Sequence, residues 1–170
     1  MPKLHWSAIK KRHEKLKQQY EAFIGEQVEA PAIEPEIYEI YNELKRLSNE
    51  VKEEAGKDHN EIVYQEWLVY KLEDYGIDVK MEKECSVVEN EEYCKKRLDI
   101  YLEDYDIIIE IKIRHLTSGV IQLKNYLKLL NKSIGFLIEY VKGKLNIIMI
   151  IKHTDSHYYI FDGNSFYKHE

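Results

Sequence analysis

A chain of 170 residues, 44% of them hydrophobic, can close one compact core and carry an accessory segment. No apolar run approaches the roughly 20 residues that span a bilayer, and the N-terminus lacks the apolar stretch of a signal peptide, so the expectation is a soluble, cytoplasmic protein with no membrane partner. A net charge of −6 is not that of a protein that coats nucleic acid over its whole surface, and two cysteines are too few for a four-thiolate iron–sulfur cluster.

The charge is unevenly spread. Residues 1–17 carry Lys3, Lys10, Lys11, Arg12, Lys15 and Lys17 against Glu14 alone, a net +5 that leaves −11 for the rest. An acidic body suits a protein that holds cations between carboxylates; the basic segment could touch phosphates or be a solvated helix face. Cys85 and Cys94 could pair across a hairpin, but in a reducing cytosol two free thiols are expected.

In chain order, residues 4 to about 28 read as a loosely amphipathic helix with Ile9, Leu16, Tyr20 and Phe23 along one side. Pro31 and Pro35 break the chain, and Pro35 fits the first turn of a second helix. That helix has a clear stripe of Ile37, Ile40, Tyr41, Leu44, Leu47 and Val51 and ends near Gly56. The stripe needs a partner, either the domain below it or a second subunit. Asp58 is a candidate N-cap for a third helix, with Glu61 completing a capping box, and Gly76 stops it after Tyr75. The pattern then turns to strands over 79–88, 97–103 and 106–113. A helix is predicted over 118–130, capped by Thr117 or Ser118. Strands over 134–140, 145–152 and 158–161 follow.

The informative stretch runs from Arg97 to Lys112. Side chains alternate along a strand, so Ile107, Ile109, Ile111 and Ile113 share one face while Glu110 and Lys112 share the other. In the preceding strand Asp99 lies opposite the Leu98, Ile100 and Leu102 face. A two-residue turn at Asp104-Tyr105 places Asp99 directly across from Glu110, about 5 Å away. Such like charges repel unless a cation binds between them. Carboxylate oxygens are natural ligands of Mg²⁺ or Mn²⁺, and a lysine beside them can position water and stabilise charge on a phosphate. On the following helix Gln122 and Tyr126 stand i, i+4 and so share a face. Gln122 could bind a water or phosphate, and Tyr126 could pack beside a DNA strand. Arg114, just after the active strand, could meet a phosphate, as could His115; His153 and His157 flank a turn and could approach each other.

Glu61-Ile-Val-Tyr64, Asp99, Glu110-Ile-Lys112 and Gln122-Leu-Lys-Asn-Tyr126, in that order, resemble the PD-(D/E)XK nuclease superfamily. The likeness is to its GxxExxY-type members, with features shared by RecB-like exonucleases and archaeal Holliday-junction resolvases. The strand at 134–140 resembles the family's strand after that helix. Two positions depart from the pattern: Asp58 stands where the family has glycine, and Glu139-Tyr140 where it often has Asn-Phe.

The resemblance implies an α/β fold of the restriction-endonuclease kind, a central mixed sheet flanked by helices, with a helical extension over 1–56 and a nuclease domain over 57–170. It implies a Mg- or Mn-dependent deoxyribonuclease. Asp99 and Glu110 would bind metal, the Ile111 carbonyl adding a ligand. Lys112 would orient the nucleophile with help from Gln122, and Tyr126 and Arg114 would contact substrate. Glu61 would hold a metal or its water. On a helical wheel it shares a face with Leu68 and Leu72, whereas its competitor Glu66 lies with Glu73. Nucleic acid, DNA first, is the expected partner, with a homodimer through the N-terminal helices if the substrate is a junction. The rival reading is a binding or assembly protein on a nuclease scaffold without catalysis.

Overall fold

The protein is described from a computed structural model, which covers residues 23–89, 91–114 and 116–170 and, of the first 22, only 7, 10, 11, 14 and 15. Most of the helix read over 4–28, and His115, lie outside the described residues. At its C-terminal end that segment is helical at Phe23 and Ile24 and then forms strand β1, Glu26–Val28, which corrects the expected helix there.

One eight-stranded sheet organises the chain. After β1 come helix α1 (Pro35–Ala55), helix α2 (Glu61–Asp74), β2 (Lys80–Glu89), β3 (Glu92–Leu102), β4 (Ile107–Lys112), helix α3 (Leu116–Leu129), β5 (Ile134–Val141), β6 (Lys144–Thr154), β7 (His157–Phe161) and β8 (Phe166–His169). The strand order is β1-β8-β7-β6-β5-β4-β3-β2. Only β4 and β5 run parallel, joined through α3; every other pair is antiparallel, so the sheet is mixed.

Two cores result from the strand alternation. On one face α1 and α2 pack Tyr41, Leu44, Leu47, Val51, Leu68 and Leu72 against Ile107, Ile109, Ile111, Phe136 and Met149. The stripe of α1 is thus spent on the chain's own sheet, the first of the two partners it could have taken. On the other face α3 packs Val120, Leu123 and Leu127 against Ile108, Leu137, Ile148 and Ile150. Here the helix approaches closely because two positions lack a side chain. A Cβ on Gly135 would lie 2.7 Å from Leu123 Cδ1, and one on Gly119 would lie 3.0 Å from Leu137 Cδ1 and 3.2 Å from Lys112 Cγ.

Some local expectations change. The N-cap of α2 is Asn60, with no side-chain cap, while Asp58 sits in the left-handed region at φ 64°. The capping box therefore does not form, and Glu61 is released from that role. The loop between β3 and β4 is a 3-10 turn at Glu103–Tyr105 followed by Asp106 at φ 55°, two residues longer than the tight turn expected. The pairing is nevertheless the expected one, with Ile100 opposite Ile109 and Leu102 opposite Ile107. Cys85 and Cys94 are both free; the register sets them opposite Lys96 and Val87, not each other.

Candidate active site

The sheet forks where the acids stand. β3 and β4 pair from Leu102–Ile107 up to Ile100–Ile109 and then separate, β3 continuing beside β2 and β4 beside β5. Asp99 and Glu110 are the next residues on the two prongs. Asp99 has also lost its place in the ladder with β2. Met81 faces Ile100 and Lys83 faces Leu98, but Glu82 and Asp99 between them do not pair, and Glu82 takes the left-handed φ of 55°. Alternation breaks at this point. Leu98 was expected beside Ile100 and Leu102, and instead packs with Tyr101 and Ile108 on the α3 side.

The carboxylates take up what the ladders release. The Ile111 N–H donates to Asp99 Oδ2 at 2.9 Å, and the Asp99 N–H donates to Glu110 Oε1 at 3.5 Å. Glu110 is only 1% exposed. Burial pushes its carboxyl well above the usual carboxylate range, the neighbouring charge of Asp99 pushes the same way, and the charge of Lys112 opposes both. No Lys, Arg or His among the described residues forms an ion pair with Glu110. Lys112 is half-buried, follows Glu110 by two residues on the same face of β4, and has its stem against the Gly119 backbone of α3.

Helix α3 brings its pair to this face. Gln122 donates from Nε2 to the Tyr126 hydroxyl at 3.0 Å. Tyr126 is buried at 8% exposure, and its hydroxyl is held above its ordinary pKa by burial first, with the charges of Glu110 and Asp99 also raising it. It therefore stands within electrostatic reach of both acids. Arg114 is exposed and, with Asn60, Glu61, Ile62, Lys112, Ile113 and Ser118, lines an open cleft of about 550 Å³ beside the fork. Glu61 is half-buried at the rim of that cleft, while Glu66 is exposed, as the helical wheel indicated. Tyr64, the other conspicuous residue of the first turns, has a bracing role. Its hydroxyl donates to the Gly56 carbonyl at 2.9 Å, and its ring stacks on Tyr140 at 4.3 Å, tying the α1–α2 loop to the end of β5.

One polar residue beside the acids was not read from the sequence. Gln65 is 2% exposed and contacts the Asp99 backbone. It stands four residues after Glu61, so the i, i+4 spacing that singled out Gln122 and Tyr126 would have found it too.

A hard divalent cation fits this donor set. Among the described residues no group of three or more His, Cys, Asp or Glu side chains converges, so Glu61 does not close a cage with Asp99 and Glu110. Mg²⁺ does not require one, because it retains several waters and is commonly held by one or two carboxylates. A buried carboxylate with no cationic partner, next to a second carboxylate, is a place where a divalent ion relieves both desolvation and repulsion.

A mixed sheet with helices on both faces, forked at an acid pair with a lysine alongside, defines an α/β protein of the restriction-endonuclease-like class. The family model of the PD-(D/E)XK nuclease superfamily matches residues 38–150, and the chain belongs to that superfamily. No curated protein matches. A solved structure described as "Crystal structure of SSO0001" is similar at a TM-score of 0.39 and 16% identity, over 68% of this chain and 79% of that one.

Proposed function

We propose that this protein is a metal-dependent nuclease that hydrolyses phosphodiester bonds of DNA, with Asp99, Glu110 and Lys112 at its centre. Superfamily membership supports a nuclease acting on nucleic acid. The observation that carries the finer reading is the fork, where Asp99 meets a 1%-exposed Glu110 that lacks any ion-paired cation among the described residues. Asp99 and Glu110 would hold Mg²⁺ or Mn²⁺, which when bound polarises a phosphoryl oxygen and lowers the pKa of a water.

The chain's own groups then have separate tasks. The Lys112 ammonium orients the attacking water and meets the negative charge that grows on the phosphate. Gln122, fixed by its bond to Tyr126, presents its remaining amide groups toward the water or a phosphate oxygen. Glu61 accepts a hydrogen bond from solvent at the cleft rim. Arg114, exposed on the same cleft, binds a neighbouring phosphate of the strand.

Incubation with labelled linear duplex, circular single-stranded, flap and four-way-junction DNA, and with RNA, tests this reading. Metal-dependent cutting of any DNA that is lost in Lys112→Met supports it, and the preferred substrate identifies the class. Cutting of RNA alone would move the substrate assignment. No cutting of any substrate by folded protein with Mg²⁺ or Mn²⁺ would reject catalysis in favour of a binding scaffold.

A further inference from the structure

Asp99 is a strand residue with no paired residue across from it in the register of either neighbouring strand. Its neighbours Leu98 and Ile100 pair normally with β2, yet the backbone at Asp99 is skipped on that side, and on the other side β4 has already departed. A backbone carbonyl and amide left this way inside a sheet need other partners. The amide finds Glu110. The carbonyl finds Gln65, whose Nε2 donates to Asp99 O at 3.2 Å and to Glu82 Oε1 at 2.9 Å, so both amide hydrogens are used. Gln65 is 2% exposed on the face of α2 that carries Leu68 and Leu72. Its reach from the helix into the gap is what replaces the missing rung.

Glu82 completes the arrangement. It holds a left-handed backbone that a long side chain adopts only at a cost, at the point across from Asp99 where the register is interrupted. Its second oxygen, Oε2, faces Arg97 Nε at 3.6 Å. Strain at Glu82, a buried amide on α2 and an unpaired rung at Asp99 therefore meet at a single residue's backbone.

On the reading of Asp99 as a metal ligand, we infer that Gln65, held by Glu82, is a positioning residue that fixes the Asp99 backbone and so aims its carboxylate at the cation. An aspartate has a short side chain, and a small backbone rotation at Asp99 swings its oxygens away from Glu110. Partners of this outer kind, when removed, typically lower metal affinity by about 10–100-fold.

A residue exchange separates positioning from simple packing. In Gln65→Glu with Glu82→Gln the side-chain bond between helix and strand is kept with donor and acceptor reversed, but the acid introduced on α2 has no hydrogen for the Asp99 carbonyl when ionised and at most one when protonated, where Gln65 has two, and its burial costs stability. Mn²⁺ binding is measured by electron paramagnetic resonance titration on wild type, Asp99→Ala, Gln65→Met and the double exchange, with thermal unfolding of the metal-free proteins alongside. We expect the exchange to unfold below the wild-type temperature and, where folded, to bind Mn²⁺ about 10–100-fold more weakly than wild type, with Gln65→Met equally weak. Wild-type Mn²⁺ affinity in either folded Gln65 variant would overturn the inference while leaving the metal reading intact. Should Gln65→Met fail to fold, the double exchange alone decides. If wild type itself shows no Mn²⁺ binding that Asp99→Ala removes, the metal reading fails and the inference fails with it.

Discussion

Glu110 has almost no water around it and a second carboxylate beside it, and both facts hold its proton on. A carboxyl whose folded pKa is raised binds its proton more tightly folded than unfolded. Its contribution to stability is therefore greatest at acid pH and is lost as pH rises from the ordinary value near 4.5 through the raised folded value. Each unit of that difference corresponds to about 1.4 kcal/mol. In EDTA, wild-type stability relative to Glu110→Gln should fall across that window, and Mg²⁺ at neutral pH should restore it. Parallel pH profiles for the two proteins would contradict the assignment. At this scale the sequence was informative where strand periodicity operates. The shared face of Glu110 and Lys112 follows from alternation, while the register of β3 on β4 came from a two-residue turn and holds although the loop is two residues longer. Gln65, four residues after Glu61, was legible from the same i, i+4 spacing as Gln122 and Tyr126, whereas Glu82 was not, because its conformation departs from the strand pattern it sits in.

Elements bring these residues together by close approach. Helix α3 reaches the sheet only because Gly119 and Gly135 have no Cβ, and Gly135 faces the fully buried Leu123. Gly135→Ala would press on Leu123 at 2.7 Å and should cost about 1–3 kcal/mol. For a chain of this size each kcal/mol is worth about 2–4 °C of melting temperature. An unchanged melting temperature would mean that α3 has room to shift. Elements with a strong stripe were legible from the sequence: α1 lies where Ile37 to Val51 placed it, starting at Pro35 and closing at Gly56. β1 falls inside an expected helix and β8 beyond the last expected strand, and β3 begins five residues before its expected start. Glu92, Tyr93 and Lys95 lie on the exposed end of a two-stranded hairpin, Tyr93 at 88% exposure, so no buried face imposes alternation on them. The break at Asp99 was equally hidden, since a fork is set by which neighbour each strand keeps and not by the strand's own residues.

Over the whole molecule the acidic body and basic N-terminus must act in opposite senses on a polyanion. Lys10, Lys11 and Lys15 are helical and exposed. If the segment binds phosphates, replacing these three lysines by glutamine should weaken DNA binding at low salt. It should also flatten the dependence of log K on log salt by up to about 0.9 for each phosphate no longer neutralised. An identical slope would assign the segment to another role. No described helix is long and apolar enough to cross a membrane. The membership of residues 38–150 in a nuclease superfamily sets the class of chemistry, and the fork at Asp99 and Glu110 is where that chemistry is proposed to occur. The most direct test is the initial rate of DNA cleavage as Mg²⁺ is titrated against wild type and Asp99→Ala, with EDTA as the zero point. A rate that rises and saturates with Mg²⁺ in wild type and stays at the EDTA level in Asp99→Ala is the predicted result. Cleavage by Asp99→Ala at the wild-type rate, or wild-type cleavage that persists in EDTA, would contradict the account.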